Sequence, residues 1–182
     1  MRVFIGFDIG NRAKTYLSQV KGRLISEGVR GNYTTPSNYH VTLRFLGECS
    51  HEEIDRLKAA MDLACKAMKP FTMTLAGLGT FKKRNRYILW SGVGDGLEEM
   101  ESCFEHLEKA LKGQSFEPAD RSLNAHITLA RQVQWEGDPM AIGGLMPIEP
   151  WPVHLGKLTL FESTSASGEL CYVPIYEVDL EG

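Results

Sequence analysis

The chain has 182 residues, 43% of them hydrophobic, which suits one domain with an ordinary core and no need of covalent staples. Its net charge of −3 argues against a broad, non-specific nucleic-acid binder, whose footprint is strongly basic. A protein that grips a single phosphate at a nucleic-acid end stays open.

Cys49, Cys65, Cys103 and Cys171 form no Cys-x-x-Cys pair, and their spacing matches neither a zinc framework nor a disulfide-dense scaffold. Reduced thiols in the cytoplasm are the expectation. The opening "MRVFIGFDIG" has an apolar run too short for a signal peptide and broken by Asp8. No stretch approaches the ~18 uninterrupted apolar residues that a membrane span requires.

In chain order, "RVFIGFDI" predicts a buried strand, short, β-branched and aromatic. From Asn11 to about Glu27, apolar residues recur at Ala13, Tyr16, Leu17, Val20 and Leu24, a helical spacing stopped by Gly28. A polar loop, "RGNYTTPSN", leads into the strand "NYHVTLRFLGE". A Ser-x-x-Glu capping box, Ser50 to Glu53, opens an amphipathic helix that runs towards Pro70. "FTMTLAGLGTF" and "RYILWSGV" alternate as strands, and "GLEEMESCFEHLEKALKG" is an amphipathic helix ending at Gly113. After "QSFEPADRSLN" comes the strand "AHITLARQV", then a short helical segment over Asp138 to Leu145. "HLGKLTLFES" and "YVPIYEVDL" predict two closing strands, joined as a hairpin around "TSASGE".

Both halves thus read strand, helix, loop, His-bearing strand, helical segment, strand. The expectation is an α+β fold: one two-lobed domain over residues 1–182, with approximate internal repeats at 1–80 and 81–182, sheets inside and helices outside.

The comparison of "HVTLRF" with "HITLAR" carries the chemistry. Each is His, a β-branched residue, Thr, Leu. Five histidines and ten threonines in 182 residues predict roughly 0.3 His-x-Thr pairs by chance. Two occur, at equivalent places of the repeat. On a strand, residues i and i+2 project from one face, so His40 with Thr42, and His126 with Thr128, each line one surface. If the lobes are related by a two-fold, these surfaces meet across a cleft. Imidazole titrates near 6.5, so one ring can serve as base while the other serves as acid about a phosphorus centre. The threonine hydroxyls would donate to the non-bridging oxygens. No carboxylate cluster of metal-ligand spacing accompanies the pair, so no metal and no cofactor are expected. His51, His106 and His154 lack this context and read as ordinary surface or structural residues.

On "MRVFIGFDI", "HVTLRFLGE", "HITLAR" and "LTLFES", which together span nearly the whole length, the chain resembles the RNA 2′,3′-cyclic phosphodiesterases. These were historically called 2′–5′ RNA ligases and belong to the two-histidine phosphoesterase superfamily. The resemblance implies a bilobal α+β fold with two antiparallel sheets facing a pseudo-two-fold cleft. It implies metal-free opening of RNA 2′,3′-cyclic phosphates to 2′-phosphate ends, and in some members joining of RNA ends 2′–5′. It makes His40 and His126 the catalytic pair, with His126 activating water and His40 protonating the leaving 3′-oxygen, roles that symmetry makes easy to exchange. Thr42, Thr128 and Arg131 would bind the phosphate, although strict alternation sets Arg131 on the opposite face, so that it must reach the site from a strand end or a bulge. Members often have Pro before the second His, where this chain has Ala125. The partners implied are RNA ends bearing 2′,3′-cyclic phosphate, tRNA fragments among them, met by a monomer in the cytoplasm.

Other candidates are weaker. Lys82, Lys83, Arg84 and Arg86 in "FKKRNR" read equally as an RNA-phosphate contact or as a solvated hairpin tip. Tyr33 is the candidate base-stacking residue; Val41, Leu43 and Phe45 read as the core face of their strand, and Arg44 as sharing the face of His40. The alternatives to the hydrolase are a binding module for phosphorylated RNA ends, and a two-histidine enzyme that acts on another cyclic phosphate or joins RNA ends.

Overall fold

The computed structural model describes residues 1–166 and 168–182, with the side chains of residues 145 and 166 left aside. Among the described residues, nine strands form two sheets. β1 (Arg2–Asp8), β3 (His40–Glu48), β8 (Lys157–Ala166) and β9 (Glu169–Asp179) make a four-stranded sheet in the order β3-β1-β8-β9. β2 (Arg30–Tyr33), β4 (Phe71–Lys83), β5 (Arg86–Val93), β6 (His126–Gln134) and β7 (Trp151–Leu155) make a five-stranded sheet in the order β2-β6-β5-β4-β7. Every pairing is antiparallel.

The orders β3-β1-β8-β9 and β6-β5-β4-β7 superpose as lists, with β2 added beyond β6. This is the two-fold plan that the repeat implies, and each His-bearing strand holds the same place in it. Each sheet draws strands from both sequence halves: β4 lies in the sheet of β5 and β6, and β8 in the sheet of β1 and β3. The lobes are therefore interleaved in the chain.

The helices cover the outer faces. α1 (Gly10–Ser26) buries Ala13, Leu17, Val20 and Leu24 along one stripe. Its end is a Schellman turn: Gly28, at φ +79°, lets its own N–H reach the Ile25 carbonyl and that of Val29 reach the Leu24 carbonyl. α2 (His51–Cys65) starts with the Ser50–Glu53 capping box read from sequence. It packs on α3 (Leu97–Gly113) and on β8 and β9. A 3₁₀ turn at Pro139–Ala141 runs into the single turn α4 (Ile142–Leu145), which packs on β4.

Two boundaries differ from the sequence reading. The loop "RGNYTTPSN" contains β2, which is only four residues long, mostly exposed and at a sheet edge, so it carries no alternating apolar signal. "HLGKLTLFES" is not one strand: β7 ends at Leu155 in one sheet and β8 starts at Lys157 in the other. The β8–β9 hairpin around "TSASGE" forms, with Ala166 opposite Glu169, while position 167 of that segment lies outside the described residues.

Candidate active site

β3 approaches β6 across the cleft between the sheets. There a cavity of about 980 Å³ is lined by His40, Thr42 and Phe45 from β3 and by His126, Thr128 and Arg131 from β6. The spacing of these triplets is the same, and it is not that of a flat strand.

The cause is a register shift. On β3, Thr42 pairs with Gly6 but Arg44 pairs with Ile5, so Leu43 is the extra residue of a bulge. On β6, Thr128 pairs with Trp90 but Ala130 pairs with Leu89, so Leu129 is the extra residue. Each bulge reverses the in–out phase after it. Phe45, read from sequence as core, is therefore 51% exposed and faces the cavity. Arg44, read as sharing the face of His40, turns away: it forms an ion pair with Glu108 at 3.2 Å and donates to the Glu117 carbonyl at 2.5 Å. On β6 the same reversal brings Arg131 to the face of His126 and Thr128, resolving the conflict with strict alternation. Val41 and Leu43 are buried as read.

The imidazoles are oriented alike. Nδ1 of His40 lies 2.7 Å from the Asn38 carbonyl, and Nδ1 of His126 lies 2.7 Å from the Asn124 carbonyl. A carbonyl only accepts, so Nδ1 carries the proton in both and Nε2 is the free nitrogen. On His40 that nitrogen accepts from the Thr42 hydroxyl at 2.9 Å.

Their surroundings differ. The His40 ring sits among Phe4, Tyr172 and Phe161, at centroid distances of 4.6, 4.9 and 5.9 Å. Burial in this aromatic box pushes its pKa from 6.5 down to about 4, against the opposing hydrogen bond to Asn38. His126 is faced by Phe81 at 5.2 Å and Trp90 at 6.5 Å. Burial lowers its pKa as well, the Asn124 hydrogen bond opposes, and the Arg131 guanidinium lowers it further. Among the described residues, no group of three or more His, Cys, Asp or Glu side chains could hold a metal ion.

A family model described as LigT like Phosphoesterase matches residues 8–90. A protein of Thermotoga maritima named RNA 2′,3′-cyclic phosphodiesterase is 24% identical over 183 residues, covering 100% of this chain and 97% of the relative. An Aeropyrum pernix protein of the same name is 28% identical over 166 residues, covering 89% of this chain and 93% of the relative. The fold of Escherichia coli LigT, crystallised with 3′-AMP, superposes with a TM-score of 0.80 at 23% identity, covering 100% of this chain and 98% of that one. The chain resembles the LigT-like phosphoesterases, whose family model it matches over residues 8–90. It shares with them the α+β fold of two antiparallel sheets, and the family is one of hydrolases.

Against that family background, the remaining sequence candidates separate by position. Tyr33 lines the cavity, with its hydroxyl committed to the Val29 carbonyl at 2.8 Å and its pKa pushed up to about 12 by burial. Tyr39 is 1% exposed and belongs to the core. Lys82, Lys83, Arg84 and Arg86 are all exposed at the β4–β5 hairpin. Sequence reasoning missed Asn38 and Asn124, although the two motifs are in full "NYHVTL" and "NAHITL", with Asn two residues before each His. It also missed Phe4, Phe81, Trp90, Phe161 and Tyr172, which approach the imidazoles only through pairing of distant strands. Among the described residues, no helix is long and apolar enough to cross a membrane.

Proposed function

We propose that this phosphoesterase hydrolyses the 2′,3′-cyclic phosphate at an RNA 3′ end to a 2′-phosphate, using His40 and His126 as acid and base and no metal. The observation that carries the reading is the pair of imidazoles lining one cavity, each with Nδ1 held by a carbonyl and Nε2 free of backbone partners, that of His40 meeting only the Thr42 hydroxyl. Two imidazoles with hydroxyl neighbours suit proton transfer better than resident metal binding. The names of the relatives supply the substrate class.

In this reaction His126 Nε2 removes a proton from water, whose oxygen attacks phosphorus. The bond from phosphorus to the 3′-oxygen breaks on the far side, and His40 donates its Nε2 proton to that oxygen. Burial favours the neutral ring of His40. The negative charge of the bound phosphodiester favours the imidazolium and so supplies the proton to be donated. Thr42 and Thr128 donate to the non-bridging oxygens, and Arg131 offsets the charge that develops there. Phe45, exposed on the His40 side, is the surface for the terminal base. The reaction belongs to a monomer in the cytoplasm, a setting compatible with four unpaired cysteines.

The test is an oligonucleotide ending in 2′,3′-cyclic phosphate, incubated with the protein in EDTA, with the product identified. A 2′-phosphate is expected. A 3′-phosphate product, or turnover only with added metal, overturns the reading. An RNA joined 2′–5′ in the presence of a 5′-hydroxyl end assigns the alternative reaction.

A further inference from the structure

The register of the five-stranded sheet sorts its basic residues. Successive positions on the cavity face of β5 are Trp90, Ile88 and Arg86, and their partners on β4 are Gly79, Phe81 and Lys83. The Trp90 indole lies over Gly79, where a Cβ would collide with it, and Phe81 faces His126, which fixes this as the face of the proposed site. On β6 the positions of that face are Thr128, Arg131 and Gln134. The last two pair with Asn32 and Arg30 of β2. The Gln134 carboxamide, turned so that its oxygen accepts, meets the Arg86 guanidinium, so both share one face.

The result is a row of three cations across the sheet, Arg30, Arg86 and Lys83, with Gln134 among them. It spans about three strand spacings, or ~14 Å, and stands about 7 Å beyond the row of Arg131. All three are exposed. The ion pairs of the described residues involve the N-terminus, Lys14, Arg44, Lys58 and Lys157, and leave these three without a carboxylate. Lys82, opposite Tyr87, falls on the other face.

In a chain of net charge −3, three cations without carboxylate partners, continuing one face of the proposed site, are complementary to an anionic chain that enters that cavity. We infer that Arg30, Lys83 and Arg86 form a second subsite that holds backbone phosphates of the nucleotides preceding the RNA 3′ end, making an oligonucleotide a better substrate than a mononucleotide. The inference rests on the phosphodiesterase reading above. Basic side chains that track a single strand away from aromatic residues are a recurring arrangement for such backbones.

The test compares cytidine 2′,3′-cyclic monophosphate with an RNA octamer ending in 2′,3′-cyclic phosphate. The triple variant Arg30→Ala, Lys83→Ala, Arg86→Ala is expected to lose about tenfold in kcat/KM on the octamer, through KM. The slope of log(kcat/KM) against log salt should fall by about 2, since each single-strand phosphate contact contributes about 0.7. Turnover of the mononucleotide, which does not reach the row, should stay within twofold, and Lys82→Ala should leave the octamer unaffected. Equal losses on both substrates, no loss on the octamer, or an equal loss in Lys82→Ala overturns the inference. If the wild-type protein turns over neither substrate, the phosphodiesterase reading fails instead. The subsite is then decided by fluorescence anisotropy of the same octamer: weaker binding by the triple variant with the reduced salt slope supports it, and unchanged binding overturns it.

Discussion

His40 and His126 stand at the same point of the same local structure. Each has Nδ1 2.7 Å from the carbonyl of an Asn two residues earlier, a Thr two residues later, and a bulge immediately after that Thr. The surroundings then diverge. Asn38 is buried, and its carboxamide bridges to β9, donating to the Leu170 carbonyl at 2.8 Å and accepting from the Tyr172 N–H at 3.1 Å. Asn124 is exposed. The third cavity-facing residue is Phe45 on one arm and Arg131 on the other. A two-fold backbone thus presents a more deeply buried imidazole on one arm, with Phe45 where the other arm has Arg131. The two ends of the cleft therefore differ in the side chains they present.

Removing each imidazole should have the largest effect. His40→Ala and His126→Ala should each lower the rate on an RNA 2′,3′-cyclic phosphate by about 10²-fold or more. Near-normal rates in either would show that its arm does no proton transfer.

The next effect separates the arms by pH. Burial lowers the folded-state pKa of His40 from 6.5 to about 4, so the folded protein binds this proton more weakly than the unfolded chain does. The associated stability is complete above about pH 6.5 and is lost as pH falls through the window down to about 4, at most about 3 kcal/mol. Urea unfolding at pH 7 and pH 4.5 should therefore show a smaller acid loss in His40→Gln than in the wild type. Equal losses would mean that the box around His40 does not exclude the charged ring.

Smaller again is the difference between the asparagines. Asn38→Ala leaves a carbonyl and an N–H of β9 without their partner and should destabilise the fold by about 2 kcal/mol. Asn124→Ala, at an exposed position, should stay within about 0.5 kcal/mol. Similar values for both would remove the cross-brace that distinguishes the first arm.

Much of this was legible in the chain. Helix stripes, the Ser50 capping box, the Gly28 stop and the longer strands follow local periodicity, and the repeated His-x-Thr singled out four of the side chains that line the cavity. The phase errors on β3 have one source. Phe45 and Arg44 were phased by strict alternation, and the bulge at Leu43 reverses that phase. A bulge depends on how a strand pairs with its neighbour, and the strand's own residues do not reveal it. β2 was missed because an exposed four-residue edge strand has almost no apolar pattern to display.

The α+β class and the two His-Thr pairs follow from side-chain period and residue chemistry, which are local properties. Strand pairing sets which side chains surround each imidazole, gives Phe45 and Arg131 equivalent places, and lines up Lys83 and Arg86 with Arg30. Those facts are set by register between strands far apart in the chain, where a shift of one residue exchanges core for cleft.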